Sequence, residues 1–399
     1  MKNKIIIIST TTFFTFLIFN LSLNHNLWNI IWGGLSIPAY VPFSDLIAHI
    51  HFYECFKSGI DIFSEKCPEF LYAPGGLIST HPPIWIDIVK FFHLYKNINF
   101  NIFVIASYFI YFYLFFNLFS IFKSNQSKIF LVIFLLSTTN FILLERFSTD
   151  LLIFIFTSLI IFFRLNIIKL LLIFIGTILK FYPFFLLMIF IKDKKFFFIS
   201  TLILILFLYF FYFDEISSTN SNLIEIAYFT AYGSRTMFKA LYFLSENYNS
   251  IINQDNINLF RNIFISLIVT YSILLVLLGY FYSQSKSSNI LSEFEQLFLI
   301  GSSIYVGTFI FAANADYRLI FLIFTIPYIL ERKNNLSKYT LNFCIIVSIN
   351  SFLFQFGEPL SINFYMRAIF IFGCKFIILS LFLIYIGSIL KKLNFFKVN

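Results

Sequence analysis

Apolar runs of membrane-crossing length recur from one end of this chain to the other, with only short polar segments between most of them. A spanning helix needs roughly 20 apolar residues, with about 17–25 the usual range. Candidate spans fall at about 5–23, 101–122, 129–144, 151–164, 196–213, 262–282, 296–312, 317–330, 339–355 and 366–390. A mean hydropathy of +0.87 with 12% charged residues excludes a soluble globular domain over the 399 residues. The expectation is an all-α polytopic membrane protein, one integral membrane domain over 1–399 with about 10–11 transmembrane helices. No domain-sized polar segment is present, so chemistry has to be done by loops and helix ends.

The net charge of +9 is scattered through short loops, which marks a cytoplasmic membrane face rather than a nucleic-acid surface. Lys2 and Lys4 place the amino terminus inside, and the first run reads as a retained helix because no small-residue cleavage site follows it. Segment 167–191 is apolar but interrupted by Lys180 and Pro183, and Lys192, Lys194 and Lys195 follow it. If it dips in and returns as a re-entrant or broken helix, these lysines stay inside. Loops 24–100, 145–150, 214–261, 313–318 and 355–367 are then outside, the first being the largest and 214–261 the second large one. In this arrangement the inside segments hold 16 Lys+Arg and 4 Asp+Glu, the outside segments 10 and 15. A full span at 167–191, with opposite topology downstream, is the rival arrangement.

The outside face collects the informative residues: Asp45, His49 and His51; Tyr72 and His81; Glu145, Arg146 and Asp150; Asp316, Tyr317 and Arg318; and Glu358. Charge beside a bilayer is costly, so it sits at boundaries, in wet cavities or in partnered sites. Glu145-Arg146-Phe147-Ser148-Thr149-Asp150 places three charges between two apolar runs and reads as one wall of such a cavity. The bland alternatives are a turn between helices, a helix cap at Asp45 and snorkelling arginines. Lys180 and Lys375 lie within apolar segments. Cys55 and Cys67 form either a disulfide or two free thiols, while Cys344 and Cys374 read as packing residues. His49 and His51 are two residues apart and fall on different helix faces, and with no Cys/His cluster in the sequence no metal ligand set is expected.

Three motifs carry a resemblance. Glu145-Arg146-Phe147-Ser148-Thr149-Asp150-Leu151-Leu152-Ile153-Phe154 resembles the Glu-Arg-Gly-Asn-x-Asp-Leu-Leu-x-Phe segment of family 87 glycosyltransferases in the GT-C superfamily. Leu179-Lys180-Phe181-Tyr182-Pro183 resembles their Leu-Lys-x-x-Pro segment, and Asp316-Tyr317-Arg318-Leu319 their late Tyr-Arg-Leu segment. An early outer loop with an Asp soon after the first helix is similar too, and the likeness covers roughly 40–330. Phe147-Ser148 departs from the pattern, standing where Gly-Asn is usual.

The resemblance implies a GT-C-like helical bundle and a transferase working at the extracytoplasmic face. It would move a mannose-like hexose from a polyprenyl-phosphate carrier to a hydroxyl of a glycan or glycolipid acceptor. Such a reaction needs a carboxylate base for the acceptor, cationic donors for the departing phosphate and an apolar groove for the carrier. Asp45 is the expected base. Arg146 and Arg318 are expected at the carrier phosphate, and Glu145, Asp150, Lys180, Tyr182, Asp316 and Tyr317 at the substrates. No cofactor and no nucleic-acid partner is expected; the lipid bilayer is. Phe-, Lys- and Asn-rich usage points to an AT-rich bacterial genome and so to the inner membrane. The alternative function is a transporter or flippase of lipid-linked sugars, for which broken helices with midplane charge are typical.

Overall fold

The computed structural model describes residues 2–34, 41–68, 78–79, 82–221, 231–234, 236, 238, 257–284, 290–311, 314–332, 334–354 and 362–395. Tyr72, His81 and Glu358 lie outside these residues. The chain divides into two compact units, Met1–Lys128 with Phe141–Phe184 and Phe198–Glu225, and Ile129–Asn140 with Phe185–Phe197 and Ile226–Asn399.

The first ten helices are α1 (Lys2–Leu23), α2 (His25–Gly34), α3 (Ser44–Lys57), α4 (Ile84–Phe91), α5 (Asn97–Ile121), α6 (Asn125–Leu135), α7 (Thr138–Arg146), α8 (Thr149–Phe162), α9 (Asn166–Leu179) and α10 (Lys194–Ser221). They are followed by α11 (Ile257–Tyr282), α12 (Glu293–Phe311), α13 (Ile326–Glu331), α14 (Asn335–Ile349) and α15 (Ile362–Lys392). Short 3-10 stretches run over Tyr182–Phe190, Asp316–Thr325 and Ser351–Phe354. Strands β1 (Ala231–Tyr232) and β2 (Asn314–Ala315) pair antiparallel, with Ala231 opposite Ala315.

The all-α, multi-pass membrane architecture stands. Among the described residues, five helices are long and apolar enough to cross a membrane: Lys4–Leu23, Asn97–Ile121, Leu259–Tyr282, Glu293–Phe311 and Met366–Lys392. The expected run 129–144 is instead a pair, α6 and α7, bent by 47°, which counts as a sixth if it is one span. Among the described residues that is five or six of the ten or eleven spans expected, and α10, with 28 residues, has the length for a further one. Several apolar runs do not form full-length α-helices. Helices α8 and α9 have 14 residues each, about 21 Å long against a hydrocarbon core of about 30 Å. The expected span 317–330 is a 3-10 stretch continued by α13.

In the first unit α1 packs on α5, α5 on α8, α8 on α9 and α3 on α4. The chain breaks at Lys180, whose backbone is extended, and the turn that follows folds back: Pro183 sits against Gly176, 3.3 Å from where a Cβ would stand. A side chain at 176 would press on the proline ring, so glycine permits the return. This is the broken-helix form expected near 167–191.

In the second unit α11 lies along α15, α12 against the Asp316–Thr325 stretch, and α14 against α15. Gly279 and Gly387 have no room for a Cβ between α11 and α15, so the two backbones run in close contact. Lys194 donates to the Asn394 carbonyl at 3.3 Å, which brings loop 192–195 to the carboxyl-terminal tail. At β1–β2, loop 214–261 meets loop 313–318. Each contact joins loops that the charge distribution assigns to the same side of the membrane.

Large apolar side chains face outward on the long helices, among them Ile6 and Phe13 on α1, Leu202 and Tyr209 on α10, and Leu267 and Leu274 on α11. Exposed apolar surface on this scale belongs in lipid.

Candidate functional site

Two phenylalanines in left-handed backbone conformation build the site in the first unit. Phe43, with φ 63, precedes α3, and Phe147, with φ 48, ends α7. At the end of α7 the Phe147 N–H donates to the Leu144 carbonyl at 3.2 Å and the Ser148 N–H to Leu143 at 3.4 Å. This is the Schellman pattern, in which the left-handed position is usually glycine. Phe147 therefore takes the backbone shape that glycine adopts most readily.

A non-glycine residue there costs about 1–2 kcal/mol. Both rings are buried and meet edge to face at 6.3 Å, and Phe147 also packs on Tyr108 and Phe103. Burying a Phe gives about 1.5–3 kcal/mol and an aromatic pair about 0.5–1.5 more, which offsets the backbone cost. The Phe43 N–H donates to the Glu145 carbonyl at 2.8 Å, and the Tyr108 hydroxyl donates to the Leu144 carbonyl at 2.5 Å. The first loop is thereby fastened to the 145–150 segment.

This joint brings Asp45 to Arg146. The Asp45 Oδ1 lies 3.8 Å from the Arg146 Nη1, with side-chain exposures of 19% and 37%. Asp45 lies in the first turn of α3, whose N-cap is Phe43, so it does not cap the helix. Burial raises the Asp45 carboxyl above the ordinary aspartate range. The positive charges of Arg146 and Lys180 and the Ser148 hydroxyl pull it back only in part. Glu145 is 1% exposed, and its Oε2, 3.9 Å from the Arg146 Nε, makes no hydrogen bond among the described residues.

Asp150 is fully buried. Lys180 donates to its Oδ2 at 2.5 Å, Ser148 donates to the same oxygen at 3.0 Å, and the Tyr182 hydroxyl donates to Oδ1. Ser148 also caps α8, accepting from the Asp150 N–H at 3.4 Å, as the usual Asn would. These contacts join Asp150, Lys180 and Tyr182 to one another and to Ser148. Each is expected at a substrate; in the structure the Asp150 carboxylate has no exposed surface, while the Lys180 side chain is 14% exposed.

Asp316, also expected at a substrate, has close polar partners too. In the second unit it is fully buried, and its carboxylate takes Lys375 Nζ at 2.8 and 2.7 Å together with the Ser351 hydroxyl. Thr139 donates to its carbonyl at 3.3 Å, and the Tyr305 hydroxyl to the Lys375 carbonyl at 2.7 Å. Tyr317 and Arg318, next along the 3-10 stretch, are half-buried.

Sequence reasoning missed the roles of Ser148, His49, Ser351 and Lys375. His49 follows Asp45 by one helical turn, is buried, lies 3.4 Å from the Thr149 hydroxyl and stacks on Trp85 with centroids 3.9 Å apart. The i, i+4 spacing of Asp45 and His49 is the signal that both face one partner. Cys55 and Cys67 form a disulfide. His51 converges on them, a Cys/His cluster the sequence did not suggest, but the disulfide occupies both thiols.

Comparison with protein-family models, with curated proteins and with solved structures finds no match for this chain.

Proposed function

We propose that this chain is a membrane glycosyltransferase that moves a hexose from a polyprenyl-phosphate carrier to a hydroxyl of a glycan or glycolipid, with Asp45 as general base. One observation carries the reading. Of the three carboxylates gathered at the 145–150 segment, Asp45 alone keeps surface to meet a hydroxyl, at 19% against 1% for Glu145 and 0% for Asp150. Beside it stands the Arg146 guanidinium, 37% exposed.

The chemistry follows from that pair. The Asp45 carboxylate takes the acceptor's hydroxyl proton as the acceptor oxygen forms its bond to the anomeric carbon. The bond from that carbon to the carrier phosphate breaks, and the phosphate leaves with the electron pair. Arg146 meets the charge that develops on it. Asp150, Lys180 and Tyr182 hold the wall, and Lys180 adds its field at Asp45.

The test uses membranes carrying the wild type or Asp45→Asn, supplied with radiolabelled polyprenyl-phosphate mannose, glucose or arabinose. Transfer by the wild type and its loss in the variant at equal expression is the expected result. Equal transfer in both removes Asp45 as the base. The transporter reading draws on the break at Lys180 beside buried Asp150. It would replace ours if labelled carrier crossed the bilayer with no label entering an acceptor.

A further inference from the structure

At one end of the second unit, two cavities of about 200 and 480 Å3 share Glu331 and Arg332 in their walls. The start of α12, the junction of α13 with α14 and the last turns of α15 line them. The inside loops 283–295 and 331–338 and the basic tail thus meet in one place.

Arg332 is the centre of this region. Its guanidinium carbon lies 4.6 Å from the Tyr328 ring centroid and 4.5 Å from that of Tyr385, and it donates to the Tyr328 hydroxyl. Contact with two rings set at 76° to each other, together with the Tyr328 hydroxyl, restrains the fork. Its Nε is buried and has no hydrogen-bond partner among the described residues. The nearby charge pair leaves it uncompensated. Lys392 binds both oxygens of Glu295, at 2.9 and 2.7 Å. Glu295 also accepts the Ser292 N–H at 2.7 Å, while Ser292 Oγ accepts from the Glu295 N–H at 3.2 Å, a capping box at the start of α12. The charge of Glu295 is therefore spent on Lys392 and the helix start. Glu331 stands exposed at the rim. Ser388 adds a hydroxyl to the smaller cavity, and Ser337 and Asn334 add polar groups to the larger.

A buried guanidinium edge, restrained by two rings and with no carboxylate partner among the described residues, suits an anion with several acceptor oxygens in a fixed geometry, which is a phosphate. The setting is a bilayer boundary: Leu336 and Tyr339, on the first turns of α14, are 79% and 65% exposed. We propose that the cavities around Arg332 form a binding site for a phosphate group, presented by an anionic phospholipid headgroup or by a free phosphate. This site is independent of the Asp45 chemistry.

The experiment is native mass spectrometry of the full chain released from mixed phosphatidylglycerol and phosphatidylcholine micelles, with inorganic phosphate added in a parallel arm. Arg332→Gln removes the charge. Arg332→Lys keeps the charge and loses the fork, so it decides the matter if the first variant fails to fold. Unfolding temperature in detergent is the folding control. The wild type should retain phosphatidylglycerol over phosphatidylcholine, with retention falling about ten-fold in Arg332→Gln and several-fold in Arg332→Lys. Protection from unfolding by inorganic phosphate without lipid preference, lost in the same variants, would assign the site to soluble phosphate. Wild-type retention in Arg332→Lys, or neither lipid preference nor phosphate protection in the wild type, would overturn the proposal.

Discussion

At the scale of single residues, Phe147 is the most instructive position. The sequence departs there from the Gly-Asn of the segment it resembles, yet the backbone takes the shape glycine would give. Phe147→Gly should relieve about 1–2 kcal/mol of left-handed backbone cost while losing a buried ring worth about 3–5 kcal/mol. The packing loss wins, and thermal unfolding in detergent should show a less stable protein; a stabilised variant would mean that the ring contributes little. Asp45 makes the opposite case. Its carboxyl is raised above the ordinary range, so protonation favours the folded state and stability rises as pH falls through the folded value. Above that value, the cost of holding the charge is fully present. Asp45→Asn should therefore unfold at the same or a higher temperature at neutral pH while losing transfer. Wild-type transfer should fall on acidification at a higher pH than an unperturbed aspartate would give, read from a pH–rate profile of membranes whose carrier is saturating.

At the scale of elements, the break at Lys180 shows how local sequence and partner choice combine. Lys and Pro in an apolar run announce that the helix ends, and α9 does end there. Only the packing of α8 against α9 shows why the lysine is tolerated: its ammonium lands on Asp150, 30 positions away. Removing one member of a buried pair typically costs about 3–5 kcal/mol, because the other charge is left uncompensated. Lys180→Met should cost that much, and the double variant Lys180→Met with Asp150→Leu should recover most of it, checked by unfolding all three proteins in one detergent. A double variant no better than the single would show that Tyr182 and Ser148 matter more than the ion pair. The disulfide was one of two options in the sequence, since Cys spacing alone does not select a pairing. The return of the chain after α3 places both sulfurs together and decides it.

At the scale of the whole molecule, topology is the testable matter. The contacts of Lys194 with the tail, and of Ser292, Arg332 and Lys392 around shared cavities, join loops that the lysine and arginine distribution puts inside. Single cysteines introduced at Asn334 and at Glu65, on a background with Cys344 and Cys374 replaced by Ala, should react with a membrane-impermeant maleimide from opposite sides of the bilayer. Reaction of both from one side would reverse part of the loop assignment. The amino-acid sequence by itself determined the apolar character, the helical class and the break near Lys180, because hydropathy, proline and charge act within a few residues. It also offered Asp45 and Arg146 as candidates. What only the tertiary structure decided is which charges meet. Asp45 faces Arg146, whereas Asp150 is taken by Lys180 and Asp316 by Lys375. Ion pairs between residues 30 to 101 positions apart depend on how helices pack and where two phenylalanines turn the chain. The charge of a residue is written in the sequence, but its exposure depends on its neighbours in space, and exposure is what separates a carboxylate that can meet a hydroxyl from one that is enclosed.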